Sequence, residues 1–177
     1  MALAIPALPF GVRDCKVYPI DATGTVGTGV DLPAIQTLAF SETEDSTELR
    51  GDDTVVATHG SGATGTWSLE AGGISLEAYV VMVGGTLTTT GATPNIKKTV
   101  SKLTTQSRPY FKVEGQAISD SGGDVHIIIF KCKADGDVGG EFADNAFYVT
   151  SLSGKSIGDA TNKLYEIDNN ETAVAPT

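Results

Sequence analysis

One window of this chain changes its hydrophobic period, and the stretches around it alternate. Residues 73–85 (GISLEAYVVMVGG) place Leu76, Tyr79, Val80 and Val83 at helical spacing. Ser75 suits the N-cap, Glu77 the first turn and Gly84 the C-terminal stop. A single short helix, about residues 75–83, cannot bury its apolar stripe alone and must lie against a sheet. The predicted class is therefore mainly β: a β-sandwich or open barrel with one flanking α-helix.

The composition fits short strands joined by turns, with 21 Gly, frequent Thr and Ser, and only 7% aromatic residues. Strands are predicted at 13–20, 34–43, 54–58, 63–70, 86–90, 97–103, 108–118, 124–133, 147–152 and 163–167. Along 63–70, Ala63, Gly65, Trp67 and Leu69 share one face and Thr64, Thr66, Ser68 and Glu70 the other. The run over 127–130 is apolar on both faces, which predicts a central, covered strand. Residues 21–31 read as a Gly/Thr loop or loose hairpin, and 119–123 as a hairpin turn. Residues 1–12, with Pro6 and Pro9, read as an N-terminal extended arm, and 168–177 as a C-terminal one. Between them, 13–167 makes one domain, and 177 residues that are 40% hydrophobic can build its core.

Charge is segregated along this acidic chain, whose formal net charge is −10. Residues 42–53 (ETEDSTELRGDD) carry Glu42, Glu44, Asp45, Glu48, Asp52 and Asp53 against Arg50 alone. Such a segment is too polar for a core element and is predicted to project as a loop or hairpin tip. Residues 97–115 hold Lys97, Lys98, Lys102, Arg108 and Lys112 against the single acid Glu114. Basic and acidic patches of this kind can meet across a subunit interface, or pair within one subunit. A strongly acidic domain repels nucleic acid and anionic membranes.

No constellation calls for catalysis, and no cofactor is expected. His59 sits among glycines, and His126 lies in a core strand where a hydrogen-bonded structural role is expected. Cys15 and Cys132 are far apart without a CxxC pair, which argues against zinc and for reduced core fillers. Asp135 and Asp137 begin a calcium-loop pattern that no Glu closes, and Asp52–Asp53 lacks further ligands. Gly60-Ser61-Gly62-Ala63-Thr64-Gly65 spells G-x-G-x-x-G but opens a strand-like segment, not a helix, and is expected to be a mobile loop. The first residues have neither a basic region nor a sustained apolar run, so no signal peptide is expected, and no window has the ~20 apolar residues of a membrane helix.

Three segments in order resemble the major tail tube proteins of siphovirus-type, long-tailed bacteriophages, particularly those of actinobacterial hosts. These are ELRGDD at 48–53, GGISLEAYVVMVGGT at 72–86, and RPYFKVEGQA at 108–117 with DSGGDVH at 120–126, followed by NETAVAP near the end. The resemblance spans about residues 34–176. It implies a tail-tube β-sandwich flanked by one helix. It also implies a non-enzymatic virion protein that forms hexameric rings stacked into a tube, through which the genome passes during delivery into the host. The implied partners are other copies of the chain and the tape-measure, terminator and baseplate proteins, with DNA passing unbound and no membrane contact. The implied location is the virion tail, assembled in the host cytoplasm. A related tube or ring component, such as a tail terminator, a baseplate ring or a secretion-system tube subunit, is the alternative. A carbohydrate-binding sandwich is less consistent, because the single Trp67 falls on the apolar face of its strand.

On this resemblance, 42–53 contacts the adjacent ring, with Glu42, Glu44, Asp45, Glu48, Arg50, Asp52 and Asp53 at the contact. The basic residues of 97–115 serve a contact between subunits, and the two arms are ordered by neighbouring subunits. Leu38 and Phe40 fix the core face of their strand, so Thr37, Ala39, Ser41 and Thr43 would face the lumen. A Ser/Thr lining suits a conduit, since each fixed Lys or Arg there would add a phosphate contact.

Overall fold

The computed structural model of the protein describes residues 6–176. It is mainly β with one flanking helix: ten strands and a single α-helix among the described residues. The strands are β1 (Pro9–Pro19), β2 (Val30–Asp31), β3 (Ile35–Gly51), β4 (Thr54–Gly72), β5 (Thr86–Thr90), β6 (Lys97–Ser101), β7 (Phe111–Ser119), β8 (Asp124–Ala134), β9 (Val149–Ser156) and β10 (Tyr165–Asn170). Helix α1 (Leu76–Val83) lies between β4 and β5.

An eight-stranded antiparallel sheet runs β2-β1-β7-β8-β9-β4-β3, with β10 added to β8. The sheet curls until β1 and β3, far apart in strand order, come into contact. Strand β8 is central: β7 pairs on one side, and β10 and β9 share the other. The strand is central as predicted, but its apolar run is only partly covered: Ile129 is buried, and Ile127, Ile128 and Phe130 are half-buried. Strands β5 and β6 form a separate two-stranded ribbon.

The core fills the concave side of the curl. Cys15, Val17, Trp67, Leu69, Phe111, Val113, Ile129, Cys132 and Leu152 supply the sheet side, and Ala78, Met82 and Val83 the helix side. Burying each of the larger aliphatic or aromatic side chains is worth about 1.5–3 kcal/mol. Trp67 meets Phe111 edge-on, with centroids 5.3 Å apart at 82°, and its indole N–H donates to the Lys155 carbonyl at 3.1 Å. The predicted inward face of Trp67 and Leu69 is thus correct. Both cysteines are free and buried, and burial pushes the Cys15 thiol up to about 12.

Ser75 caps α1 by accepting from the Ala78 N–H at 3.4 Å, and Gly84 closes it at φ 85° with its N–H on the Val80 carbonyl. The buried stripe is Ala78, Met82 and Val83: of the predicted Leu76, Tyr79, Val80 and Val83, only Val83 is fully buried. The run YVVMV is apolar all round, so period alone cannot choose its buried side. Packing against β1 and β2 chooses it.

Three boundaries differ from the sequence reading. The first strand begins at Pro9, so residues 9–12 of the predicted arm belong to β1, with Pro9 and Phe10 paired to β7 (Pro9↔Ser119, Phe10↔Ile118). Proline is tolerated at the first position of a strand. Residues 1–5 of that arm lie outside the described residues. The predicted C-terminal arm begins inside β10, and its remainder is docked on the subunit itself. The segments 54–58 and 63–70 are one continuous 19-residue strand, β4, and not two strands around a mobile loop. Gly62, at φ 59°, forms a bulge: Glu44 faces Ala63 but Asp45 faces Ser61. The extra residue is absorbed without ending the pairing. His59, beside Gly60, is in β4 opposite Thr47.

Candidate functional site

The acidic segment 42–53 is not a loop. It forms most of the distal half of β3, with the turn that joins it to β4. The last cross-strand pair of β4 with β9 is Gly65↔Ser156. Beyond it, the β3–β4 hairpin continues as a bare two-stranded ribbon to the pair Gly51↔Thr54. Asp52 and Asp53 make the two-residue turn, both at positive φ (50° and 60°), and Thr54 Oγ1 donates to the Gly51 carbonyl at 3.0 Å. Turns with both central residues left-handed match the twist of such ribbons, and Asp tolerates that conformation.

Nearly every described residue of the ribbon is exposed, on both faces. Leu49 and Val56 are each 64% exposed, and Val55 is 47% exposed. Arg50 pairs with Glu48 at 2.9 Å on the surface. Glu42 lies at the base: it shares the core-side face with Phe40, and its carboxylate hydrogen-bonds Tyr165. The Tyr165 ring sits 4.7 Å from Phe40, anchoring the ribbon to the body. Glu44 lies over Gly60, where a Cβ would collide with its carboxylate.

Thr37, Ser41 and Thr43 are exposed, on the face opposite Leu38 and Phe40, which pack on the core. Register extends this face across three strands. Ser41 pairs with Thr66, which pairs with Lys155, and Ala39 pairs with Ser68, which pairs with Ser153. The hydroxyls of Ser41 and Thr66 are 2.7 Å apart. The β9 contribution (Ser151, Ser153 and Lys155) was missed in the sequence, although VTSLSGKS alternates well enough to have revealed it. The surface is rich in hydroxyls and carries few charges, chiefly Glu70 and Lys155.

Four of the five predicted basic residues are engaged within the subunit. Lys98 pairs with Glu77, and Lys102 donates to the Val83 carbonyl at the end of α1, where a cation complements the helix dipole. Arg108 donates to the Gly136 carbonyl at 2.7 Å. Lys112 lies 3.3 Å from Glu114 and 4.3 Å over the Tyr18 ring. Lys97 is exposed at the start of β6. Intramolecular pairing therefore accounts for most of this patch, and the five residues do not form one free surface.

A buried polar cluster, not anticipated from the sequence, lies on the convex side of β7 and β8. Glu114, Gln116, Asp124 and His126 are 4%, 6%, 0% and 5% exposed. His126 Nδ1 lies 3.1 Å from Glu114 Oε1, and its Nε2 lies 3.0 Å from Asp124 Oδ2 and 2.9 Å from the Val174 carbonyl. Gln116 Nε2 donates to Asp124 Oδ2 and to the Val174 carbonyl, and the Val174 N–H donates to Asp124 Oδ2 at 2.9 Å. Tyr18 donates to Glu114 at 3.0 Å. Residues 171–176 thus form a strap over this face, and Lys16 Nζ fixes its end through the Pro176 carbonyl.

Burial opposes ionisation of Asp124, yet the hydrogen bonds from Gln116, Val174 and Asn170 outweigh it and hold its carboxyl well below the usual range. Burial opposes ionisation of Glu114 too, but the bond to His126 and the Lys112 charge lower it. Burial also disfavours charge on His126, and the flanking carboxylates reverse that and raise its pKa. His126 is a hydrogen-bonded strand residue, as predicted. The strap covers the cluster, whose four side chains are almost wholly removed from solvent.

Among the described residues no group of three or more His, Cys, Asp or Glu side chains is arranged to hold a metal ion. No described helix is long and apolar enough to cross a membrane. No protein-family model matches this sequence, and no curated protein matches it either.

Proposed function

We propose that this chain is a structural subunit, not an enzyme, that polymerises as stacked hexameric rings into the tail tube of a long-tailed bacteriophage. In the virion tail, such a tube is the conduit for genome delivery. The observation that carries the reading is the bare β3–β4 ribbon. An isolated two-stranded hairpin is marginal in water, and a long strand with a free edge is a template for pairing with another chain. Among the described residues neither edge of the ribbon has a third strand, and Leu49, Val55 and Val56 are exposed on it. Another copy would cover these residues and the acids beside them, which is the role the resemblance gives to an inter-ring element. The hydroxyl face of β3, β4 and β9 fits a lumen wall better than the chain's acidity does. It offers DNA few fixed charges of either sign, whereas the acids are concentrated on the ribbon and in the 135–144 loop.

Electron microscopy of the purified protein tests the proposal. Long hollow tubes are expected. Rings that never stack would point instead to a terminator or baseplate component, and a protein that stays monomeric would overturn the assignment. The lining is tested by Ser41→Arg in the phage: tubes should form while DNA ejection falls, and normal ejection would remove this face from the lumen.

A further inference from the structure

The strap over the convex face is held by charge that has no access to water. Asp124 accepts from Gln116, from the Val174 amide and from His126, and His126 is the cationic partner among these. Lys112 and Tyr18 serve Glu114, and Lys16 holds the strap at Pro176. The other titratable groups that face the cluster by register are Asp14 on β1 and Glu166 and Asp168 on β10, with Glu171 exposed on the strap. These are all acids. None of them can replace the charge on His126.

We propose that the Glu114–His126–Asp124 line is a proton-operated latch on the C-terminal strap 171–176, closed while His126 is an imidazolium and released when that proton leaves. A charged imidazole donates from both ring nitrogens, as its position between two carboxylates and the Val174 carbonyl demands. A neutral ring donates from one. If the proton stays on Nε2, the Nδ1 lone pair faces Glu114. If it stays on Nδ1, the Nε2 lone pair faces both Asp124 and the Val174 carbonyl. Either tautomer leaves Asp124 buried without a counter-charge, an arrangement that is strongly destabilising. Opening the strap relieves it by admitting water to Asp124. The strap follows the last strand, so it can open while the β7–β8 ladder stays paired.

The latch is independent of the tube assignment, since it operates within one subunit. The test is hydrogen exchange of the full chain across pH, corrected for the intrinsic exchange rate, alongside NMR titration of the His126 ring. His126 should titrate above the ordinary imidazole range. Over that same interval, protection of the Val174 amide should fall by about tenfold per unit by which the His126 pKa is raised. The Val113 amide in the central ladder should keep its protection. H126Q supplies a neutral side chain and should show weak Val174 protection with no pH step. Val174 protection that stays flat while His126 loses its proton overturns the latch. So does simultaneous loss at Val113, or an H126Q chain that keeps the wild-type step. If H126Q does not fold, the paired wild-type measurements still decide.

Discussion

The distal ribbon and the strap-covered cluster are both acidic, yet acid does opposite things in them. On the ribbon, Glu48, Asp52 and Asp53 stand in water, where a surface pair such as Glu48–Arg50 is worth only about 0–1 kcal/mol. In the cluster, Glu114 and Asp124 are removed from water and each is held by several donors. Exposed charge blunts the edges of a bare strand pair, while buried charge fixes one local structure. The same side-chain chemistry thus stands in water on a bare ribbon in one region and fastens the interior in the other.

The comparison breaks first at Asp124. Asp124→Ala leaves His126 buried beside an empty acceptor site, and should lower stability by about 3–5 kcal/mol in urea unfolding. A loss no larger than that of a ribbon acid would mean that burial makes no difference here. The pH profile sharpens the point. The folded-state values of Asp124 and Glu114 are lowered, so their contribution is present above the ordinary carboxylate range and lost as pH falls through those lower values. The His126 value is raised, so its contribution is complete below the ordinary imidazole value and lost as pH rises through the folded one. Urea midpoints should therefore show a plateau with an acid and an alkaline shoulder, and Asp124→Ala should shrink both, leaving the part that Glu114 contributes.

A smaller effect is expected at the ribbon tip. Asp53→Val places a β-branched residue at φ 60° and should weaken the ribbon by about 1–2 kcal/mol, seen as faster exchange of ribbon amides with the body unchanged. Smallest for the subunit is Leu49→Ser, which should shift its stability by no more than about 0.5 kcal/mol while reducing tube formation in electron micrographs. Undiminished tubes would detach Leu49 from the assembly contact.

Much of the fold was legible because its signals are local. The caps at Ser75 and Gly84, the alternation through Trp67 and Leu69, and the turn at 119–123 each depend on neighbours within a few residues. The ribbon was half legible: the polarity of 42–53 showed that it projects, but polarity cannot distinguish a loop from an exposed strand pair. Gly62 misled in the same way, since a glycine can end a strand or bulge it, and only the partner strand decides. The cluster was not legible. Glu114, Gln116, Asp124 and His126 are polar residues at alternate positions, which is also the signature of a solvated sheet face. The strap that buries them comes from a segment about 50 residues further along.

By itself, the sequence determined a mainly β chain with one helix, an inward face for Trp67, Leu69, Leu38 and Phe40, and an acidic projection. Short-range sterics and the two hydrophobic periods suffice for these. The tertiary structure decided which side of an apolar helix is buried, that most of the basic residues pair within the subunit, and that His126 is locked between two carboxylates. Those outcomes depend on which distant segments meet, because the value of a charge is set by the water around it and not by its place in the chain.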